Sequence, residues 1–233
     1  MESDTPIPKA PPPDTLGRFR EIVADPVNLL IERDPWAGFL RNGRLVLHNG
    51  NRVPIEGPGS YYGTFGHILI INRGVHEPLE EFCFQEMLRV MPEAPVMIEL
   101  GAYWAHYSMW MMKARPRATT IMVEPEKENL EGGRANFAHN GYTGEFIEAF
   151  VGKDQWLPGQ FMANRGLAHL DVLHVDIQGY EVELLEGSAD LLARRAIDYL
   201  FVSTHSQGFH RHVAELLSAH GYRIEASSDF VET

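Results

Sequence analysis

The sequence predicts an α/β fold: a Rossmann-like, doubly wound, mostly parallel sheet with a small N-terminal α+β lobe. Three observations carry that expectation. Short apolar runs alternate with helical patterns from residue 93 onward, the rhythm of parallel strands joined by crossover helices. The runs are continuously apolar rather than alternating, as in Val96-Met97-Ile98, Ile121-Met122-Val123 and Tyr199-Leu200-Phe201-Val202, which suits strands covered on both faces. Several runs end in acidic or small residues, as ligand-binding strand ends do.

In chain order, residues 1–14 hold Pro6, Pro8, Pro11, Pro12 and Pro13 and read as a flexible tail. Residues 15–92 form the lobe and an amphipathic helix, and 93–233 the main α/β domain. Asn49-Gly50 between two apolar runs is hairpin chemistry. Over 77–91, Leu79, Phe82, Cys83, Met87 and Val90 mark an apolar helical face, with Glu80, Glu81, Gln85, Glu86 and Arg89 opposite. Strands follow at 96–100, 119–124, 145–150, 171–176 and 197–204, with helices at 104–114, 126–138, 180–193 and 209–220. Tyr222-Arg223-Ile224 is strand-like, and a final antiparallel strand has no candidate, which leaves either a truncated chain or an open sheet edge.

A chain of 233 residues suits one main core. Its net charge of -12 and only four lysines (Lys9, Lys113, Lys127, Lys153) disfavour a nucleic-acid partner. The N-terminal residues lack the basic and apolar regions of a signal peptide, and no run approaches a membrane span, so a cytoplasmic protein is expected. Cys83 is the sole cysteine, which excludes an internal disulfide, and it is read as a core thiol.

The first strand runs into Glu99-Leu100-Gly101-Ala102-Tyr103, where Gly101 stands alone and no pyrophosphate-binding Gly-x-Gly-x-x-Gly exists. One glycine suffices for S-adenosylmethionine, a nucleoside without phosphates. The second strand ends in Glu124-Pro125, which suits a carboxylate on two ribose hydroxyls. The same residues also suit a helix N-terminal carboxylate with proline at the first helical position. At the fourth strand end stand His174, Asp176, Gln178, Gly179 and Glu181, and at the fifth His205. His205 is expected as the base that deprotonates a methyl acceptor, Asp176 as its orienting partner, and His174 or Glu181 as support. The alternative makes Asp176 a helix N-cap and the histidines structural. Asp176, Glu181, His205, His210 and His212 could also bind a divalent metal, without any tight ligand motif to support it.

Val175-Asp176-Ile177-Gln178-Gly179-Tyr180-Glu181, followed by Leu185-Glu186-Gly187, resembles the signature segment of the FkbM family of S-adenosylmethionine-dependent methyltransferases. Met97 to Trp104, Val123-Glu124-Pro125, Asn136 and Asn140-Gly141 are similar to its donor-binding strand ends and second helix, and the likeness spans about residues 61 to 226. Tyr61-Tyr62-Gly63 and Gly74 to Pro78 resemble a subgroup linked to glycans and natural products. The resemblance implies a class I methyltransferase fold and O-methylation of a sugar, glycan or polyketide-type hydroxyl, with Glu99, Gly101 and Glu124 around the donor. Ala105 departs from the family, which often has glycine there. Two other readings stay open: a non-catalytic binding module on the same fold, and a nicotinamide-dependent oxidoreductase, which no Tyr-x-x-x-Lys pair supports. Sequence leaves the oligomeric state open.

Overall fold

The structure, a computed structural model, describes residues 15–152 and 155–228. The proline-rich stretch 1–14 lies outside the described residues. The N-terminal lobe opens with helix α1 (Thr15–Ala24). Three short antiparallel strands follow: β1 (Leu40–Arg41), β2 (Arg44–Val46) and β3 (Arg52–Val53). The predicted hairpin forms, pairing Leu45 with Val53. A second, tighter turn at Asn42-Gly43 joins β1 to β2, with φ of 53° and 73°. Consecutive positive φ values are what a two-residue Asn-Gly hairpin turn requires.

The short helix α2 (Ile68–Ile71) leads to α3 (Pro78–Val90), the helix predicted over 77–91. Its faces differ from expectation. Glu81 and Gln85, read as solvent-facing, are buried at 0% and 6% exposure, together with Phe84, Met87 and Leu88. Of the stripe read as core, Met87 is buried, whereas Leu79, Phe82 and Cys83 are only partly covered and line an open cleft, and Val90 is exposed. The cause is the lobe, which packs its own polar groups onto the acidic side of α3.

The main sheet has five parallel strands: β4 (Val96–Leu100), β5 (Thr119–Glu124), β6 (Glu145–Glu148), β7 (Leu170–Val175) and β8 (Ile197–Val202). Their spatial order is β6-β5-β4-β7-β8. The order reverses direction between β4 and β7, and ligands of open α/β sheets bind beyond the strand ends at such a switch point. Helices α4 (His106–Ala114), α5 (Lys127–Asn140), α6 (Pro158–Arg165), α7 (Glu181–Gly187), α8 (Ala189–Ala193) and α9 (Gln207–Ala219) cover the sheet. The helix expected over 180–193 is therefore two, divided at Ser188, whose carbonyl accepts from Leu191 and Leu192 N–H. Tyr222 to Ile224 form no strand, and β8 is the sheet's edge among the described residues.

One buried cluster joins Ile98, Val123 and Val175 of the strands to Leu184, Leu191 and Val213 of the helices. A second joins Leu45, Leu47, Val53, Ile68 and Leu69 of the lobe to Trp104, Met109, Met112 and Phe137. The lobe and the sheet's helices thus share apolar core rather than touching across a wet boundary.

Candidate active site

The C-terminal ends of β4, β7 and β8 open into a cleft of about 2080 Å³. Its first wall is the loop after β4. Gly101 has φ +70°, and a Cβ there would stand 1.8 Å from the Asp176 carbonyl oxygen. Glycine is needed because the sheet continues past its strands here: Gly101 N–H donates to Val123 O (2.9 Å) and Asp176 N–H to Leu100 O (3.0 Å). These two bonds hold the loop after β4 beside the Asp176 strand end. Ala102 is buried in the core shared with the lobe, so it contributes packing and a backbone bond to Val123 O. Tyr103 and Ala105 also adopt positive φ, 46° and 63°. Ala105 thus takes the left-handed conformation that glycine would take freely, at a cost of about 1 to 2 kcal/mol.

Ala105 has no side chain to cap α4. Glu99 serves instead, its carboxylate accepting from Tyr107 N–H (3.3 Å) and Ser108 N–H (2.9 Å). Burial pushes its pKa up, against His174 and these bonds. Glu124, buried at the end of β5, accepts from Tyr103 N–H (3.0 Å), Glu126 N–H (3.0 Å) and the Asn129 amide (3.3 Å). It links the β4 loop to the start of α5. Pro125 is exposed and precedes the N-cap Glu126. The expected proline at the first helical position is therefore not there, because α5 begins two residues later.

Across the cleft, Asp176, Glu181 and His205 converge. His205 Nδ1–H donates to Glu181 Oε1 (2.8 Å), and Nε2 lies 3.3 Å from Asp176 Oδ1. The Glu181 carboxylate is fully buried, whereas the His205 and Asp176 side chains are about one-third exposed, 32% and 33%. The bond to Glu181, aided by Asp176, raises the pKa of His205 against partial desolvation. Burial raises that of Asp176, opposed by His174 and His205. The alternative of Asp176 as a helix N-cap does not hold, since α7 starts at Glu181 after Tyr180. Gln178 and Gly179, with φ of 56° and 105°, make the turn that folds Glu181 back.

His174 is placed in a separate network. Its Nε2 is 2.5 Å from Glu80 Oε1, and the other Glu80 oxygen accepts from Ser203 Oγ–H (2.9 Å). Burial alone would lower the His174 pKa, but the Glu80 carboxylate outweighs it and lifts the value to about 9. Glu77, also on the cleft wall, accepts from Tyr107 Oη–H (2.9 Å), and desolvation pushes it up to about 7. Sequence reasoning missed Glu77 and Glu80, since they sit at the N-cap and in the first turn of a helix whose charged side looked solvated. The one usable signal was Glu77-Pro78, within the segment that resembled the natural-product subgroup.

The expected metal set does not assemble. His210 contacts Thr204 and Ser227 Oγ, and His212 pairs with Glu186. Neither is paired with His205: His210 sits on the cleft wall beside Thr204, and His212 is exposed on α9. Two other groups bring three donors together among the described residues: exposed His169, Asp171 and Asp198, and buried His48, Glu81 and His106. In the buried group, Glu81 also holds His76, with Nδ1 at 2.5 Å from Oε1. Burial would raise the Glu81 pKa, but His48 and His76 overcome it and bring it to about 2.

Residues 155–224 match the family model described as methyltransferase FkbM domain. The match begins before α6 and includes β7, β8 and the whole Asp176–Glu181–His205 constellation. No curated protein matches the chain. Among solved structures, the chain is similar to precorrin-6y C5,15-methyltransferase of Geobacter metallireducens GS-15. That pair has 19% identity over 62% of this chain and 71% of the other, with a TM-score of 0.48. A putative protein-L-isoaspartate O-methyltransferase of Plasmodium falciparum, in complex with S-adenosyl-L-homocysteine, has 13% identity over 83% and 84%, with a TM-score of 0.43. M. capricolum TrmK, in complex with S-adenosyl-homocysteine, has 11% identity over 65% and 63%, with a TM-score of 0.43. All three scores lie below 0.5, so the assignment of topology rests on the strand order itself. No helix among the described residues is long and apolar enough to cross a membrane.

Proposed function

We propose that this methyltransferase moves the methyl group of S-adenosylmethionine to a hydroxyl of a neutral sugar, glycan or polyketide-type acceptor. The observation that carries this reading is His205, held by Glu181 on one nitrogen and facing Asp176 with the other on the cleft wall. Its position supports the removal of a proton from an acceptor. The Gly101–Tyr103 loop and Glu124, on the same cleft, fit the donor. A buried carboxylate at the end of β5 suits two ribose hydroxyls, and the acidic lining suits a sulfonium cation.

Bound there, S-adenosylmethionine supplies an electrophilic methyl carbon. The protein's own contribution is orientation and proton removal. Neutral His205 accepts the acceptor's hydroxyl proton, and Asp176 and Glu181 stabilise the imidazolium that results, as carboxylates do beside catalytic histidines. Glu124, Gly101 and Tyr103 position the donor. Glu77, Asp176, Tyr61 and Tyr62 on the wall offer hydrogen-bonding oxygens and aromatic faces to a polyhydroxylated acceptor. The same carboxylates disfavour phosphorylated or carboxylated acceptors, which supports a neutral one.

Calorimetric titration of S-adenosylhomocysteine into the wild type and Glu124→Ala tests the donor half. Binding to the first, weakened at least tenfold in the second, is the expected result; no binding to the wild type overturns it. Mass spectrometry of neutral and anionic glycosides incubated with enzyme and donor tests the acceptor half. A methyl gain confined to the neutral set is expected, and a gain confined to amines or anions overturns the reading.

A further inference from the structure

The polar cluster between the lobe and α4 is not used by methyl transfer as described above. It comprises His48 from the β2–β3 loop, Glu81 from α3 and His106 from the first turn of α4, exposed at 1%, 0% and 2%. We propose that these three residues form a buried zinc site that fastens the N-terminal lobe to the helix following the donor loop.

The geometry is that of a ligand set. One ligand atom from each residue lies within 4.8 Å of the others. Glu81 Oε1 is 3.8 Å from His106 Nε2, and His48 Nδ1, beside Glu81 Oε2 at 3.1 Å, also meets the Gly74 carbonyl (3.0 Å), which leaves Nε2 as the His48 atom open to an ion. A tetrahedral zinc about 2.0 to 2.2 Å from each ligand holds neighbouring ligand atoms about 3.3 to 3.6 Å apart. The spacing of 3.8 Å between Glu81 and His106 lies close to that value.

Unmet hydrogen-bonding capacity is the second observation. Neither ring nitrogen of His106 has a hydrogen-bond partner, and His48 Nε2 has none either. Each buried polar atom left this way costs about 1 to 3 kcal/mol. Two buried imidazoles carrying such atoms beside one carboxylate are better explained by a shared cation than by separate penalties. Two imidazoles with one carboxylate is a ligand combination that zinc takes.

The surroundings resemble the outer shell of a metal centre, in which ligands are fixed by hydrogen bonds from their neighbours. Glu81 Oε1 accepts from the backbone N–H of His76 (3.0 Å) and of Glu77 (3.3 Å). The His48 ring lies against Trp110 and the His106 ring against Trp104. His76 and His106 also line the cleft, so an ion has a route in. Because α4 follows the donor loop, an ion there anchors the helix whose first turn Glu99 caps.

The test uses the full chain, dialysed against zinc and then freed of excess ion by gel filtration. Elemental analysis should find about one zinc retained per chain. His106→Gln should lose it, whereas His169→Gln, at the exposed His169, Asp171 and Asp198 group, should keep it. Zinc X-ray absorption on the wild type needs no variant to fold, and should show imidazole scattering at about 2.0 Å. Failure of the wild type to retain zinc overturns the proposal, as does loss in His169→Gln alone or an all-oxygen shell. None of these readouts involves the methyl donor, so they stand or fall apart from the methyl-transfer reading.

Discussion

The molecule holds two histidine–carboxylate clusters of nearly the same chemistry in opposite settings. At the sheet's mouth, His205 is clasped by a buried Glu181 and faces a part-exposed Asp176. Between lobe and sheet, Glu81 is ringed by His48, His76 and His106 with almost no access to water. In the first, one histidine serves two carboxylates; in the second, one carboxylate serves three histidines. An imidazole with acidic neighbours and solvent on one side can exchange protons with a substrate. Sealed imidazoles around a single anion instead hold elements in place, and disturbing them should alter stability before chemistry.

The largest expected effect falls on the open cluster. His205→Gln should lower kcat by about 10²- to 10⁴-fold, the usual worth of a general base, while S-adenosylhomocysteine affinity by calorimetry stays within about twofold. An unchanged kcat would erase the functional half of the contrast. In the sealed cluster, Glu81→Gln leaves the buried histidines without their counter-charge and should cost about 3 to 5 kcal/mol in denaturant unfolding. Gly101→Ala bears on the boundary between the two, since it forces the donor loop off the Asp176 strand end. It should cost about 2 to 4 kcal/mol, from left-handed strain and steric overlap together.

A pH profile sharpens the comparison further. His205 must be neutral to accept a proton, and its pKa is raised, chiefly by the bond to Glu181. The rate should therefore rise with pH through a midpoint above the ordinary histidine value of about 6.5. Glu181→Gln removes the main cause of the shift, so the rising limb should move toward lower pH; a limb that stays in place would separate His205 from the chemistry. The smallest effect is expected at Ala105→Gly. Relief of left-handed strain and loss of one buried methyl nearly offset each other, so thermal unfolding should report a change within about 1 kcal/mol.

How much could be read beforehand follows the same divide. The ends of β4, β5 and β7 were legible because fully covered strands leave continuous apolar runs, and Asp176, Glu181 and His205 lie just past such runs. The sealed cluster was illegible, because its members are spread over positions 48 to 106 and Glu81 sits on a helical stripe that looks solvated. Burial of that stripe depends on a lobe whose strands are two or three residues long. Helix α6 was missed because Pro158-Gly159 reads as a turn, and proline at a first helical position looks the same locally as proline in a loop. His174 misled for another reason: strand position gives the side of the sheet, but only α3 packing reveals Glu80 as its partner.

The apolar cluster shared by Leu45, Leu47 and Val53 with Trp104, Met109 and Phe137 has a consequence for modularity. A cut at the start of β4 would not release a self-sufficient catalytic unit, but would strip the cover from an indole, a thioether and a phenyl ring at once. The lobe could not be exchanged for another appendage without rewriting the outer face of α4. Any change in the lobe's inward surface is thus also a change in the scaffold behind the donor loop, and the two would have to vary together.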